Sequence, residues 1–290
     1  MTVISGCNQG QGGDAPQATV NGSAVSYRGR GLTSRQDISV QVRLAEPGHG
    51  IVFAIGKGGA PVHVPARAEF VVHTLRNVVL GREGARLCIV EHFLAAASLW
   101  GLSDLLVAVD GPEMPLGDGS AAFWLELFEA AGWEKTSRPA RIELSEPITC
   151  RKGDKLLIAL PDDHFSVSYH IDWDHPAIGK RWQSWDASMD SQAVANARTF
   201  GSLNEHKLLG IENEVVSLTA DGFSQPLRFP DEPVRHKLLD LIGDLALSGV
   251  NPLAFKARFV SIKAGHELDV EMASRLASLI SAGQCGQSSI

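Results

Sequence analysis

The stretch Val234-Arg235-His236-Lys237-Leu238-Leu239-Asp240-Leu241-Ile242-Gly243-Asp244 concentrates side chains that could do chemistry. At about 100° per residue, His236, Asp240 and Asp244 fall at successive i, i+4 and i+8 positions along one helix stripe, with Lys237 beside them. Leu238, Leu239, Leu241, Ile242 and Leu245 fall on the opposite side. Such a helix would bury its aliphatic face and present an imidazole together with two carboxylates. Neighbouring charges of that kind repel and desolvate badly without a cationic partner, and a divalent metal is the commonest one. A His and an Asp one turn apart can both reach one ion. The same pattern also fits an ordinary solvated helix face, and this helix alone does not decide between the two.

Two other clusters could complete a site. Glu91-His92 sets a carboxylate beside an imidazole at the start of an expected helix, where backbone N–H groups and the macrodipole favour an anion. Gly265-His266 follows an expected strand, and a side chain at a strand end can point into a cleft. Together the three clusters hold the ingredients of a catalytic zinc site: two His and one carboxylate as ligands, a spare carboxylate and a spare imidazole. Three protein ligands leave a fourth position for water, whose pKa zinc can bring down to about 7. Spacing by itself does not choose which carboxylate is ligand and which is base.

The elements that must position these groups follow from periodicity. Ile38–Leu44, Gly50–Ile55 and Glu69–Val72 are short segments bounded by Gly or Pro, as strands are, and Leu105–Val109 is an apolar run of buried-strand length. Val90–Gly101 and Ala121–Ala131 read as helices, each closed by glycine. The second half repeats the programme, with strands expected at Ala140–Leu144, Lys155–Leu160, Phe165–Ile171 and Phe255–Lys263, the His236 helix, and a closing helix at Val270–Ser281. Strands then helices, twice over, indicate an α+β fold of two halves. Residues 1–18 read as a mobile tail, 19–134 as a first domain, 135–139 as a linker and 140–290 as a second domain.

With 290 residues, 44% of them hydrophobic and 20% charged, the chain has the composition of a water-soluble globular protein. A net charge of −7 without a Lys/Arg cluster argues against nucleic acid as a partner. Cys7, Cys88, Cys150 and Cys285 lie far apart with no CxxC pair, which fits a reducing cytoplasm and neither a zinc ribbon nor a disulfide framework. Met1–Cys7 has neither the basic residues nor the apolar run of a secretory leader. No apolar run approaches the ~20 residues that span a bilayer, so contact with a membrane would be peripheral at most.

Five ordered motifs then make a specific resemblance. Val90-Glu91-His92-Phe93-Leu94-Ala95-Ala96; Asp110-Gly111-Pro112-Glu113-Met114-Pro115 with Asp118-Gly119-Ser120-Ala121; Ala197-Arg198-Thr199-Phe200-Gly201; Arg235-His236-Lys237-Leu238-Leu239-Asp240 with Gly243-Asp244; and Gly265-His266 occur in this order. Over roughly residues 19–280 the chain resembles the UDP-3-O-acyl-N-acetylglucosamine deacetylases, the zinc amidases of lipid A biosynthesis. The resemblance implies two α+β domains, each a sheet with two helices, the helices sandwiched between the sheets. It implies that His92, His236 and Asp240 bind Zn2+, that Glu91 is the general base activating the metal-bound water, and that His266 is the general acid held by Asp244. Thr199 would offer its hydroxyl to the developing oxyanion, and Lys237 and Phe200 would line the pocket of a UDP-linked acylated amino sugar. A monomer is expected.

Two departures concern the substrate. The family's Gly-x-Gly-Leu-His motif reads Gly29-Arg30-Gly31-Leu32-Thr33, replacing an imidazole with a hydroxyl. The strand-helix-strand insertion that forms the family's passage for the acyl chain is expected to be short and polar here, within 202–229. These departures open a second reading, the same deacetylation of another N-acetyl-sugar with a short or absent acyl chain. A third reading is a non-catalytic relative that binds a metal or nucleotide sugar.

Overall fold

Alternation of apolar and polar residues builds two main sheets. In Asp37–Leu44 the side chains of Ile38, Val40 and Val42 are buried while Asp37, Ser39 and Arg43 face solvent. This strand lies inside a sheet that runs Thr2–Ser5, Gln17–Asn21, Ala24–Arg30, Asp37–Leu44, Leu105–Val109, Ile51–Ile55, Val62–Pro65. Leu105–Val109 is parallel to Ile51–Ile55; the other pairings are antiparallel. The second sheet is organised on Phe255–Ile262, which pairs antiparallel with Lys155–Pro161 and parallel with both Ser166–Trp173 and Arg141–Glu143. Ile148–Lys152 and Gly179–Asp186 extend it at the two sides. A three-stranded sheet of Val71–His73, Val79–Arg82 and Ala85–Cys88 leads into the first helix. This computed structural model describes residues 2–5, 17–21, 24–135, 141–283 and 286–288.

Six helices accompany the sheets among the described residues: α1, Glu91–Trp100; α2, Ala122–Ala130; α3, Gln192–Ala195; α4, Leu203–Leu209; α5, Glu232–Leu245; and α6, His266–Ser281. The mixed α+β class expected from the sequence is observed. One continuous core runs from Val25 and Phe53 through Phe93 and Trp124 to Leu238, Phe259 and Leu276, so both halves contribute to it. No helix among the described residues is long and apolar enough to cross a membrane.

α1 and α5 approach closely because α5 carries Gly243 at the contact. A Cβ placed there would lie 2.0 Å from the carbonyl oxygen of Glu91 and 2.8 Å from its carbon, both backbone atoms that cannot swing aside. Gly243→Ala is therefore expected to cost on the order of 3 kcal/mol or more through overpacking and to displace Glu91. Urea unfolding checks this, and a variant as stable and as active as the parent would refute it.

The structure corrects several sequence expectations. Ala68–Phe70 is a turn of 3₁₀ helix, and only Val71–His73 continues as strand, where Glu69–Val72 was expected to be extended throughout. α6 begins at His266 and not at Val270, because Gly265, at φ 71°, turns the chain directly into the helix and Glu267 and Asp269 favour its first turn. The segment after Ser202, expected to be short and polar, is folded. Phe200–Ser202 and Val216–Leu218 pair in parallel with α4 between them, forming a strand-helix-strand unit. The backbone of Thr2–Ser5 pairs with Gln17–Asn21, whereas 6–16 of the expected tail and 136–140, which include most of the expected linker, lie outside the described residues.

Candidate active site

The stripe on α5 is not a solvated face. His236, Asp240 and Asp244 are 2%, 3% and 0% exposed, and the helix is buried on nearly every side. α1 brings Glu91 and His92 to the same place, both buried. The imidazoles of His92 and His236 meet edge to face with their centroids 4.9 Å apart. Their Nε2 atoms lie 3.5 and 3.3 Å from one oxygen, Asp240 Oδ1.

The protonation pattern turns this convergence into a cation site. His236 Nδ1 lies 3.0 Å from the carbonyl oxygen of Ala197, so Nδ1 carries the proton and Nε2 presents a lone pair. Burial pushes the His236 pKa down to about 4, which keeps the ring neutral near pH 7. Asp240 Oδ1 has no hydrogen-bond donor, while Oδ2 accepts from Lys237 Nζ at 2.8 Å. Burial alone would raise the Asp240 pKa, but His236 and Lys237 outweigh it and hold the carboxyl well below its usual range. His92, His236 and Asp240, 2–5% exposed, thus face one point, with the lone pairs of His236 Nε2 and Asp240 Oδ1 turned toward it. Two imidazoles and one carboxylate are a donor set that suits zinc with an open position.

Two carboxylates and a third imidazole flank this point. Glu91 Oε2 accepts a 3.2 Å hydrogen bond from the backbone N–H of Val78, which orients the carboxylate at the start of α1. His266 Nδ1 meets Asp244 Oδ2 at 2.7 Å, and both side chains are buried. Burial disfavours a charged imidazole, but Asp244 outweighs it and raises the His266 pKa to about 10. The sign follows: protonated His266 is stabilised through neutrality, and the stability it contributes, complete below the unfolded value near 6.5, is lost as pH rises toward 10. Asp244→Asn should therefore move the His266 titration down by more than about one unit, and the basic limb of activity with it. An unchanged imidazole titration by NMR would rule this out.

The Thr199-Phe200 segment is pinned to the start of α5. Arg198 donates to the Glu232 carboxylate from its backbone N–H at 3.0 Å, from Nε at 2.8 Å and from Nη2 at 3.1 Å. Arg228 N–H adds a fourth bond at 2.7 Å. Burial would raise the Glu232 pKa, yet these bonds lower it overall, so the pair is charged and fully satisfied. Thr199 N–H donates to Gly119 O at 2.7 Å, and the Phe200 ring lies 6.4 Å from that of His236 and 5.1 Å from Trp173.

Of the residues picked out by sequence, His92, His236 and Asp240 converge on one point, Lys237 holds the other oxygen of Asp240, Glu91, Asp244 and His266 border the point, and Phe200 reaches its edge. Thr199 is fixed on the adjoining backbone. The departure at Thr33 has a structural account: its hydroxyl donates to Glu113 at 2.7 Å, and Glu113 also accepts from the backbone of Thr33 and Ser34. Sequence reasoning missed the Arg198–Glu232 clamp, although both residues lie within or beside motifs it quoted. It also missed Asp269, whose one-turn spacing from His266 is visible only once α6 is known to begin at His266.

Comparison with known proteins agrees with this geometry. A family model described as LpxC, UDP-3-O-acyl N-acetylglycosamine deacetylase, matches residues 17–278. The UDP-3-O-acyl-N-acetylglucosamine deacetylase of Thermosynechococcus vestitus is 38% identical over 273 residues, covering 90% of this chain and 94% of its own. That of Myxococcus xanthus is also 38% identical, covering 88% of this chain and 84% of its own. That of Leptospira biflexa is 33% identical over 283 residues, 91% of each chain. The chain belongs to the UDP-3-O-acyl-N-acetylglucosamine deacetylase family.

Proposed function

We propose that this protein is a zinc-dependent hydrolase that removes the N-acetyl group from UDP-3-O-acyl-N-acetylglucosamine, releasing acetate and the free amine, in lipid A biosynthesis in the cytoplasm. The observation that carries the reading is the convergence of His92 Nε2, His236 Nε2 and Asp240 Oδ1 beside a buried Asp244–His266 pair. Bound there, zinc would supply a Lewis acid that polarises the amide carbonyl and makes water acidic. Glu91 takes a proton from the attacking water. His266, kept protonated by Asp244, gives one to the leaving nitrogen. Thr199 faces the developing charge on oxygen with its hydroxyl, and the Arg198–Glu232 clamp fixes the backbone that carries it. Lys237 serves as counter-charge to Asp240 beside the substrate.

The strand-helix-strand unit favours an acylated substrate. Its core residues Ile211 and Val215 pack with Ile89 and Leu116, α4 leaves Leu208 and Leu209 outward, and Phe200 at its root stacks near Trp173. The departure at 202–229, read as a short polar segment, was one of two that opened the case for a short or absent acyl chain, and the paired strands there weaken that one. Burying even three methylenes at ~0.8 kcal/mol each is worth roughly 50-fold in kcat/KM. Zinc-loaded protein should therefore release acetate from the acylated UDP-sugar at least about 50-fold more efficiently than from UDP-N-acetylglucosamine. Equal efficiency would refute the acyl specificity, and no acetate from either would refute the activity.

A further inference from the structure

Behind the general acid lies a carboxylate that the proposed mechanism does not use. Asp269 sits one turn along α6 from His266, is 1% exposed, and neither of its oxygens has a hydrogen-bond partner. Asp244 Oδ1, on the far side of the Asp244–His266 bond, also lacks one. One polar atom each from Asp244, His266 and Asp269 lies within 4.8 Å of the other two. Two buried carboxylates left unpaired at this range are what two acceptors look like, since neither can donate until one carries a proton.

We infer that Asp269 is a positioning residue that works in its neutral, protonated form, donating its O–H to Asp244 Oδ1 so that Asp244 is held from both sides while it orients His266. This rests on His266 and Asp244 having the roles proposed above. The surroundings agree. Asp269 is faced by Asp244, Asp240 and Lys237 from α5, by His266 on its own helix, by Tyr169 from Ser166–Trp173 and by Cys150 from Ile148–Lys152; Glu91 on α1 faces the other two members. Burial first and the neighbouring Asp244 second push the Asp269 pKa well above the carboxylate range, while the His266 imidazole beside Asp244 opposes the same effect of burial there. Two adjacent buried carboxylates resist ionising together.

Because a carboxamide also donates from this position, Asp269→Asn should keep kcat within roughly threefold and leave the basic limb of the kcat/KM profile unmoved, whereas Asp269→Leu, leaving Asp244 Oδ1 without a donor, should lose at least about tenfold in kcat. Infrared difference spectra of zinc-loaded wild type and Asp269→Asn near pH 7 should show a protonated-carboxyl C=O band present only in the wild type. That readout needs no turnover, so it stands or falls apart from the proposed reaction, and it decides the matter if the leucine variant does not fold. The inference is overturned by absence of that band, by a basic limb shifted a unit or more in Asp269→Asn, or by a leucine variant as active as wild type. Metal analysis that finds a second ion per chain, lost in Asp269→Asn, would overturn it too, by giving the three groups a cation to hold.

Discussion

His236→Ala is expected to remove zinc and turnover together. His236 supplies one of the three proposed donors, and its tautomer is fixed by Nδ1 against Ala197 O at 3.0 Å. Losing a hydrogen bond behind a ligand typically costs 10–100-fold in metal affinity, and losing the ligand itself should cost more than about 100-fold. Zinc content after dialysis against stoichiometric metal should fall from about one ion per chain to near none. Full retention of zinc with normal deacetylation would remove the centre from the site proposed for it.

Glu91→Gln should behave in the opposite way toward metal. The amide preserves shape and can still accept from Val78 N–H, but it has no basicity with which to deprotonate water. Loss of a general base costs typically 10²–10⁴-fold, so kcat/KM should fall by about that much with zinc content unchanged. Loss of zinc in this variant would make Glu91 a ligand and force the roles of the carboxylates to be exchanged. Measured side by side, the two variants separate holding the ion from using it.

The site was legible in the sequence wherever a spacing has one geometrical meaning. His236, Asp240 and Asp244 repeat at the helix period, and that stripe survives in α5. What spacing could not convey was burial: the same stripe suits a wet surface, and it is the packing of α1 and α6 against α5 that closes it off. The individual strands and helix of the 202–229 unit were not legible for two physical reasons. Its strands are three residues each, too short to show alternation, and α4 turns Leu208, 88% exposed, away from any core. Asp269 was missed through an error of four residues in the start of α6. Glycine at 265, with its positive φ, was the available sign that the helix begins at once.

The first proposed ligand, His92, and the last, Asp240, lie on different helices and meet across the seam between α1 and α5. An ion seated there is therefore a rivet through that seam. Its binding free energy, available only to the docked arrangement, becomes cohesion between the amino-terminal and carboxy-terminal portions. Chelation should then loosen the joint before it melts either sheet, with amide exchange quickening first along the facing turns of the two helices.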